Sequence, residues 1–262
     1  MDHGSMEPIF RFFFFALGCC LGSFFNVVIH RLPRGESIVS PGSRCPSCGS
    51  GIAWYDNIPL LSYLLLRGRC RHCNARISLR YPLVELLTGV LVFLLYRQFG
   101  LGVSFFVFFV FAALLVLIAF IDLDTYLIPD VLSLSGLTVG LAASFVGSHI
   151  TWIDSVMGVL LGGGLFYAVA WAYQVLRKQD GLGGGDIKLL AMIGAFTGWQ
   201  GVLFTIFLSS VVGTVVGLAV MLRRGQGMAA RIPFGPFLSL AALCYLFWGK
   251  TWVRWYFGLL SG

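Results

Sequence analysis

The sequence predicts an all-α polytopic membrane protein of about eight transmembrane helices, with a small polar domain inserted between helices 1 and 2. Three observations predict it. Of 262 residues, 58% are hydrophobic and only 11% charged, against roughly 25% charge in a soluble globular protein. Mean hydropathy is +0.88. The hydrophobicity falls in runs long enough to cross a core of about 30 Å, and the basic residues gather between them. A net charge of +7 would suggest nucleic acid in a soluble protein. Here the position of the charges points to topology and to anionic headgroups of the membrane lipids, and no nucleic acid is expected.

Residues 1–5 (Met-Asp-His-Gly-Ser) precede Met6 and read as an artificial extension. Residues 6–30 are the expected first transmembrane helix, apolar from Ile9 to Ile29 apart from Arg11 and Asn26. Residues 31–80 form the polar domain. They hold eight arginines against Glu36 and Asp56, a net +6. Residues 81–262 carry the remaining seven or so spans, expected near 82–98, 103–121, 131–148, 153–175, 187–199, 200–222 and 234–257. The stretch from Ile187 to Leu222, interrupted by Gly198-Trp199-Gln200-Gly201, is two short helices or one long bent one; two are expected, because a straight helix of that length would rise about 54 Å. With the polar domain placed in the cytoplasm, 14 Lys and Arg lie inside and 4 outside. That asymmetry is the positive-inside pattern and supports the eight-span count.

Two C-x-x-C pairs, Cys45/Cys48 and Cys70/Cys73, lie in the polar domain. Each can curl into a knuckle presenting two thiolates, and two knuckles complete a tetrahedral site, so structural zinc is expected. Gly49 and Asn74 follow the pairs and tolerate the left-handed backbone that such knuckles favour. Disulfides or free thiols are the alternatives. A cytoplasmic location disfavours disulfides. A closed Cys₄ site leaves no position for substrate, so its role is folding a domain of about 50 residues that has little apolar core. Cys19, Cys20 and Cys244 fall in apolar spans and read as packing residues.

Only eleven residues are acidic. Asp154 and Asp180 read as capping or solvated groups. Asp122 ends the third span, and Asp186 closes Gly183-Gly184-Gly185-Asp186 at the start of the sixth. By span parity both reach one membrane face, where an acid is costly and a functional candidate. Two carboxyls sharing a site do not both ionise cheaply. The ionised member can activate water while the protonated one donates to a peptide carbonyl. Asp186 is also a good helix N-cap, as is Asp130 after Pro129. Asp122 paired with Asp124 or Asp130 remains an alternative, although Asp124 would point to a different helix face.

These segments together resemble the bacterial type IV prepilin leader peptidases. The resemblance rests on Gly183-Gly-Gly-Asp186-Ile-Lys-Leu-Leu190 and Asp122-Leu-Asp-Thr-Tyr-Leu-Ile-Pro-Asp130. It also rests on Gly22-Ser-Phe-Phe-Asn-Val-Val-Ile-His-Arg-Leu-Pro33 and the paired C-x-x-C domain, and it extends from about residue 9 to the end. Phe25 and His30 depart from the family pattern. The resemblance implies that Asp122 and Asp186 are catalytic. It also implies an inner-membrane aspartic endopeptidase cutting prepilins or pseudopilins at the cytoplasmic face, then methylating the new N-terminus with S-adenosylmethionine. No soluble-type methyl-donor fold is visible, so Asn26, Arg31 and Glu85, at the junction of the polar domain with spans 1 and 2, are the candidate cofactor-binding residues. Arg31 could instead be a snorkelling anchor and Glu85 an arginine partner. A peptidase without methyl transfer, or a zinc-bearing scaffold or transporter with an acidic ion path, are the alternative functions. The four histidines form no H-E-x-x-H, which disfavours metalloprotease chemistry.

Overall fold

The computed structural model describes residues 3–146, 150–177, 183–224 and 232–260. Asp180, expected to be a capping or solvated group, and residues 1 and 2 lie outside them. The described residues contain no strand, only two isolated bridges in the polar domain. The helices are α1 (His3–Arg31), α2 (Leu61–Leu65), α3 (Arg80–Phe99), α4 (Val103–Thr125), α5 (Asp130–Phe145), α6 (Trp152–Arg177), α7 (Gly184–Arg224) and α8 (Gly235–Leu260). Short 3₁₀ turns occupy Leu32–Arg34 and Trp54–Asn57.

Five helical stretches among the described residues are long and apolar enough to cross a membrane: Pro8–Arg34, α3, α4, Trp152–Leu176 and Gly184–Arg223. Asp130–Phe145 and Gly235–Gly249 are apolar but shorter. The expected count of eight is therefore met only in part. α7 breaks at Gly198, whose φ of 71° and ψ of −176° leave helical space. Glycine adopts that conformation without a β-carbon clash. α4 runs to Thr125, four residues past its expected end, so Asp122 stands in its final turn instead of beyond it.

The chain divides into two compact units, Met1–Phe109 and Val110–Gly262. In the first, α1 and α3 pack through small residues. Gly18 and Gly22 are spaced as G-x-x-x-G, and β-carbons there would sit 2.8 Å from Gly89 Cα and 2.7 Å from Glu85 Cα. Apolar side chains gain nothing by leaving lipid for another helix, so close backbone approach is what drives such packing. The second unit repeats the device: Gly158 and Gly162 of α6 cross Gly194 and Leu190 of α7, backbone against backbone. Its buried core includes Phe111, Leu115, Ile118, Leu189, Met192, Ile193 and Leu238, with Phe111 stacked on Phe196 at 4.5 Å.

Candidate functional site

The four domain cysteines come together. Their sulfurs all lie within 4.8 Å of one another, with Cys45 and Cys73 Sγ 3.8 Å apart. A tetrahedral ion bonded at about 2.3 Å holds its sulfurs about 3.8 Å apart, the Cys45–Cys73 spacing, so the cluster has the donor set and size for zinc. The two knuckles have the same construction. Gly49 (φ 71°) and Asn74 (φ 58°) are both left-handed. Their N–H groups donate to Cys45 O and Cys70 O at 2.9 and 3.0 Å. Bridges between Arg44 and Gly51 and between Arg69 and Arg76 close each knuckle. No cysteine is in a disulfide, and His72, exposed, is outside the cluster. The Cys48 thiol is pushed down to about 6, chiefly by the Ser50 hydroxyl 2.6 Å away, which favours the thiolate that a metal needs. Arg71 grips Asp56 through two hydrogen bonds of 2.6 and 2.7 Å and lies over the Tyr55 ring.

Beside this cluster is a cavity of about 210 Å³ whose walls include Ser23, Asn26, Arg31, Tyr63, Tyr81 and Glu85. All three candidate cofactor residues thus line one space, though each also has a local partner. Asn26 Nδ2 donates to Tyr81 O at 3.1 Å. The Arg31 guanidinium donates to the carbonyls of Ser37, Pro41 and Gly42 and holds that loop. Glu85, buried, accepts a 2.8 Å bond from the Leu60 N–H instead of pairing with an arginine. Cys19 is a buried packing residue as expected, but Cys20 faces outward.

In the second unit Asp122 is buried, and its Oδ2 accepts a 2.9 Å bond from the backbone N–H of Gly235. Asp186 is half-buried in the first turn of α7. It is not the N-cap, because the helix already starts at Gly184 and the Asp186 N–H donates to Gly183 O. Ile128 packs on two glycines that adjoin the aspartates, Gly185 next to Asp186 in sequence and Gly235 hydrogen-bonded to Asp122. A β-carbon on Gly185 would sit 2.8 Å from Ile128 Cβ, and one on Gly235 3.3 Å from its Cδ1. The charge of Asp122 is close enough to act on Asp186. One of the glycines before Asp186 has a steric reason: Gly185 lets Ile128 pack on the backbone.

Neighbouring acids are separated from this pair. Asp124 points outward while Asp122 points in, as two residues of helical offset require. Asp130 opens α5 but does not cap it, since Pro129 holds that position. Both of its oxygens receive Lys188 Nζ at 2.7 Å. At the start of α6 the cap is Thr151, not Asp154: the Thr151 hydroxyl accepts the Asp154 N–H at 3.1 Å and donates to the Asp154 carboxylate at 2.7 Å. Sequence reasoning missed Gly235, Ile128 and the Lys188–Asp130 pair. For Gly235 the available signal was Pro233-Phe-Gly-Pro236 opening an apolar span, a motif that does not say which residue its N–H meets.

Two family models cover the chain. The bacterial peptidase A24 N-terminal domain matches residues 16–99, and the type IV leader peptidase family matches residues 109–218. Among similar proteins, a prepilin leader peptidase/N-methyltransferase of Myxococcus xanthus is 44% identical over 230 residues, covering 86% of this chain and 69% of that one. Proteins of the same name from Aeromonas salmonicida and Pseudomonas aeruginosa are each 38% identical. The first alignment covers 92% of both chains, and the second covers 92% of this chain and 91% of its relative. No solved structure matches the chain.

Proposed function

Because the chain belongs to the type IV leader peptidase family, we propose that Asp122 and Asp186 are the catalytic pair of its membrane aspartic endopeptidase activity. The enzyme is a bifunctional prepilin leader peptidase and N-methyltransferase of the multi-pass membrane class. The observation that carries the catalytic assignment is the nearness of Asp122 to Asp186, close enough for the charge of one to act on the other, with neighbouring Asp124 turned outward and Asp130 held by Lys188. The ionised carboxyl takes a proton from the attacking water. The protonated one donates to the scissile carbonyl, and a proton then passes to the leaving amine. Such a pair titrates as a unit, so neither residue owns one role. The Gly235 N–H fixes the rotamer of Asp122 before substrate arrives, the kind of preorganisation an active site requires.

The substrates are prepilins or pseudopilins, cut at the cytoplasmic face of the bacterial inner membrane. The eight-span topology supports that orientation if α5 and α8 cross the membrane and α7 crosses twice about Gly198. The thiolates of Cys45, Cys48, Cys70 and Cys73 hold a structural zinc ion. S-adenosylmethionine supplies an electrophilic methyl group when bound, and the cavity at Asn26, Arg31 and Glu85 is its proposed site. A buried carboxylate suits a cationic ligand there, whereas Arg31 shapes the wall through the 37–42 loop. A peptidase without methyl transfer is not favoured, since the relatives carry both activities in their name.

Incubating the purified protein with a prepilin and labelled S-adenosylmethionine tests both activities. Cleaved pilin heavier by about 14 Da, one methylene, is expected. Full cleavage by the Asp122→Asn and Asp186→Asn variants overturns the catalytic assignment.

A further inference from the structure

The polar domain carries one segment built inside out. In α2 the residues facing inward are Ser62 and Tyr63, while Leu61, Leu64 and Leu65 face outward, the last two 71% and 74% exposed. Just before it Trp54 is 81% exposed, and Tyr55 and Ile58 are exposed as well. The segment is not a loose loop. The Ser62 hydroxyl donates to Tyr55 O at 2.9 Å and accepts from the Ile58 N–H at 3.1 Å. Tyr63 donates to Ile77 O. These bonds clamp the turn and the helix together with their polar groups inward and their apolar groups outward. In water such an arrangement is unfavourable, and exposed apolar patches mark contact surfaces.

Two further observations say what covers this one. The first is depth. The Leu60 N–H is bonded to Glu85, five residues inside the apolar helix that starts at Arg80. At 1.5 Å per residue that is about 7.5 Å along the helix, the depth to which interfacial apolar groups sink. Leu60 pays for the attachment with a left-handed φ of 61°, which a branched side chain disfavours. The second is charge. Arg67 and Arg69, both exposed, follow the apolar patch immediately, in a domain of net +6. Apolar groups followed by cations match the acyl boundary and anionic headgroups of a bilayer.

We propose that Trp54–Leu65 is a membrane-interface anchor, dipping Trp54, Leu61, Leu64 and Leu65 into the leaflet while Arg67 and Arg69 meet lipid phosphates. The cysteine domain is then fastened flat on the membrane instead of projecting into the aqueous phase. This rests on the multi-pass membrane placement alone and is independent of the cleavage and methyl-transfer chemistry.

The test uses the full-length protein in nanodiscs, with p-benzoylphenylalanine placed separately at Leu64, at Leu65 and at the exposed knuckle residue Ser47. After illumination, mass spectrometry is expected to find lipid adducts at 64 and 65 about fivefold above those at 47. The yield should be about twofold higher in phosphatidylglycerol than in phosphatidylcholine, as charge attraction requires. Because a substituted position could disturb the domain, brominated lipids provide a second reading on the native side chain. The wild-type protein should show a component of quenching that Trp54→Phe lacks. Lipid adducts no more frequent than at Ser47, adducts to added prepilin or to a second copy in their place, or identical quenching of wild type and Trp54→Phe would each overturn the anchor. Equal yield in the two lipids overturns the role of the arginines.

Discussion

The backbone N–H of Gly235 donates to the carboxylate of Asp122 at 2.9 Å, joining residues 113 positions apart at the start of α8 and the end of α4. The contact leaves no room at Gly235, where a β-carbon would stand 2.6 Å from Asp122 Oδ2. Gly235→Ala should therefore displace the carboxylate and lower prepilin cleavage by about 100-fold, the order expected for a misplacement near 1 Å. Gly213→Ala, which meets only ordinary contacts at 3.6 Å, should leave it unchanged. Equal activity of the two variants in a detergent assay would remove Gly235 from the site.

Asp122→Asn and Asp186→Asn are each expected to reduce kcat by at least about 100-fold, the lower range for loss of a general acid or base. Because the two act as one unit, the double variant should be little worse than either single one. Additive losses in single-turnover cleavage would contradict a shared site.

The Lys188–Asp130 pair should matter much less. Both side chains are substantially exposed, and such pairs contribute about 0.2–1 kcal/mol. Asp130→Asn should change cleavage by less than about fivefold. A loss as deep as that of Asp122→Asn would mean that Asp130 belongs to the reacting pair.

Metal retention should depend on pH through Cys48. Protons compete with a metal for thiolates, so acidification releases the ion. Ser50 holds the Cys48 thiol down to about 6. Ser50→Ala removes that donor, raises the thiol and lets protons compete at higher pH. Zinc release, followed with a colorimetric chelator, should move to higher pH in the variant. A midpoint that stays put or moves lower would show that the Ser50 hydroxyl has no part in metal retention.

The crossing of α6 and α7 should tolerate no side chain. A β-carbon on Gly158 would collide with the backbone of Gly194 and one on Gly162 would lie 2.6 Å from Leu190 O. Gly158→Val should cost at least about 1–3 kcal/mol, as overpacking does, and Gly164→Val, which faces open space, should cost less. Thermal unfolding in a fixed detergent distinguishes them; equal Tm values would deny the close crossing.

Much of the architecture was legible in the chain. Apolar runs, the break at Gly198, the knuckle spacing of Cys45/Cys48 and Cys70/Cys73, and the left-handed Gly49 and Asn74 are local or periodic properties, written in neighbouring residues. The charge pattern likewise located the polar domain between the first two spans. Asp122 and Asp186 could be named as a pair from motif and span parity, but Asp124 and Asp130 could not be excluded on physical grounds.

What the tertiary structure alone decided was long-range. Ile128 packs against both Gly185 and Gly235, and the Gly235 N–H holds Asp122. Lys188 occupies Asp130, and Glu85, a candidate cofactor residue, also receives the Leu60 backbone N–H. The outward apolar face of Trp54–Leu65 is likewise invisible in a domain that reads as polar by composition. The reason is physical. Sequence periodicity reports which kind of solvent a segment meets on average, while the partner of a particular backbone N–H or carboxylate depends on which helices cross and at what height. Those crossings are set by small residues such as Gly158 and Gly194, whose importance lies in the atoms they lack.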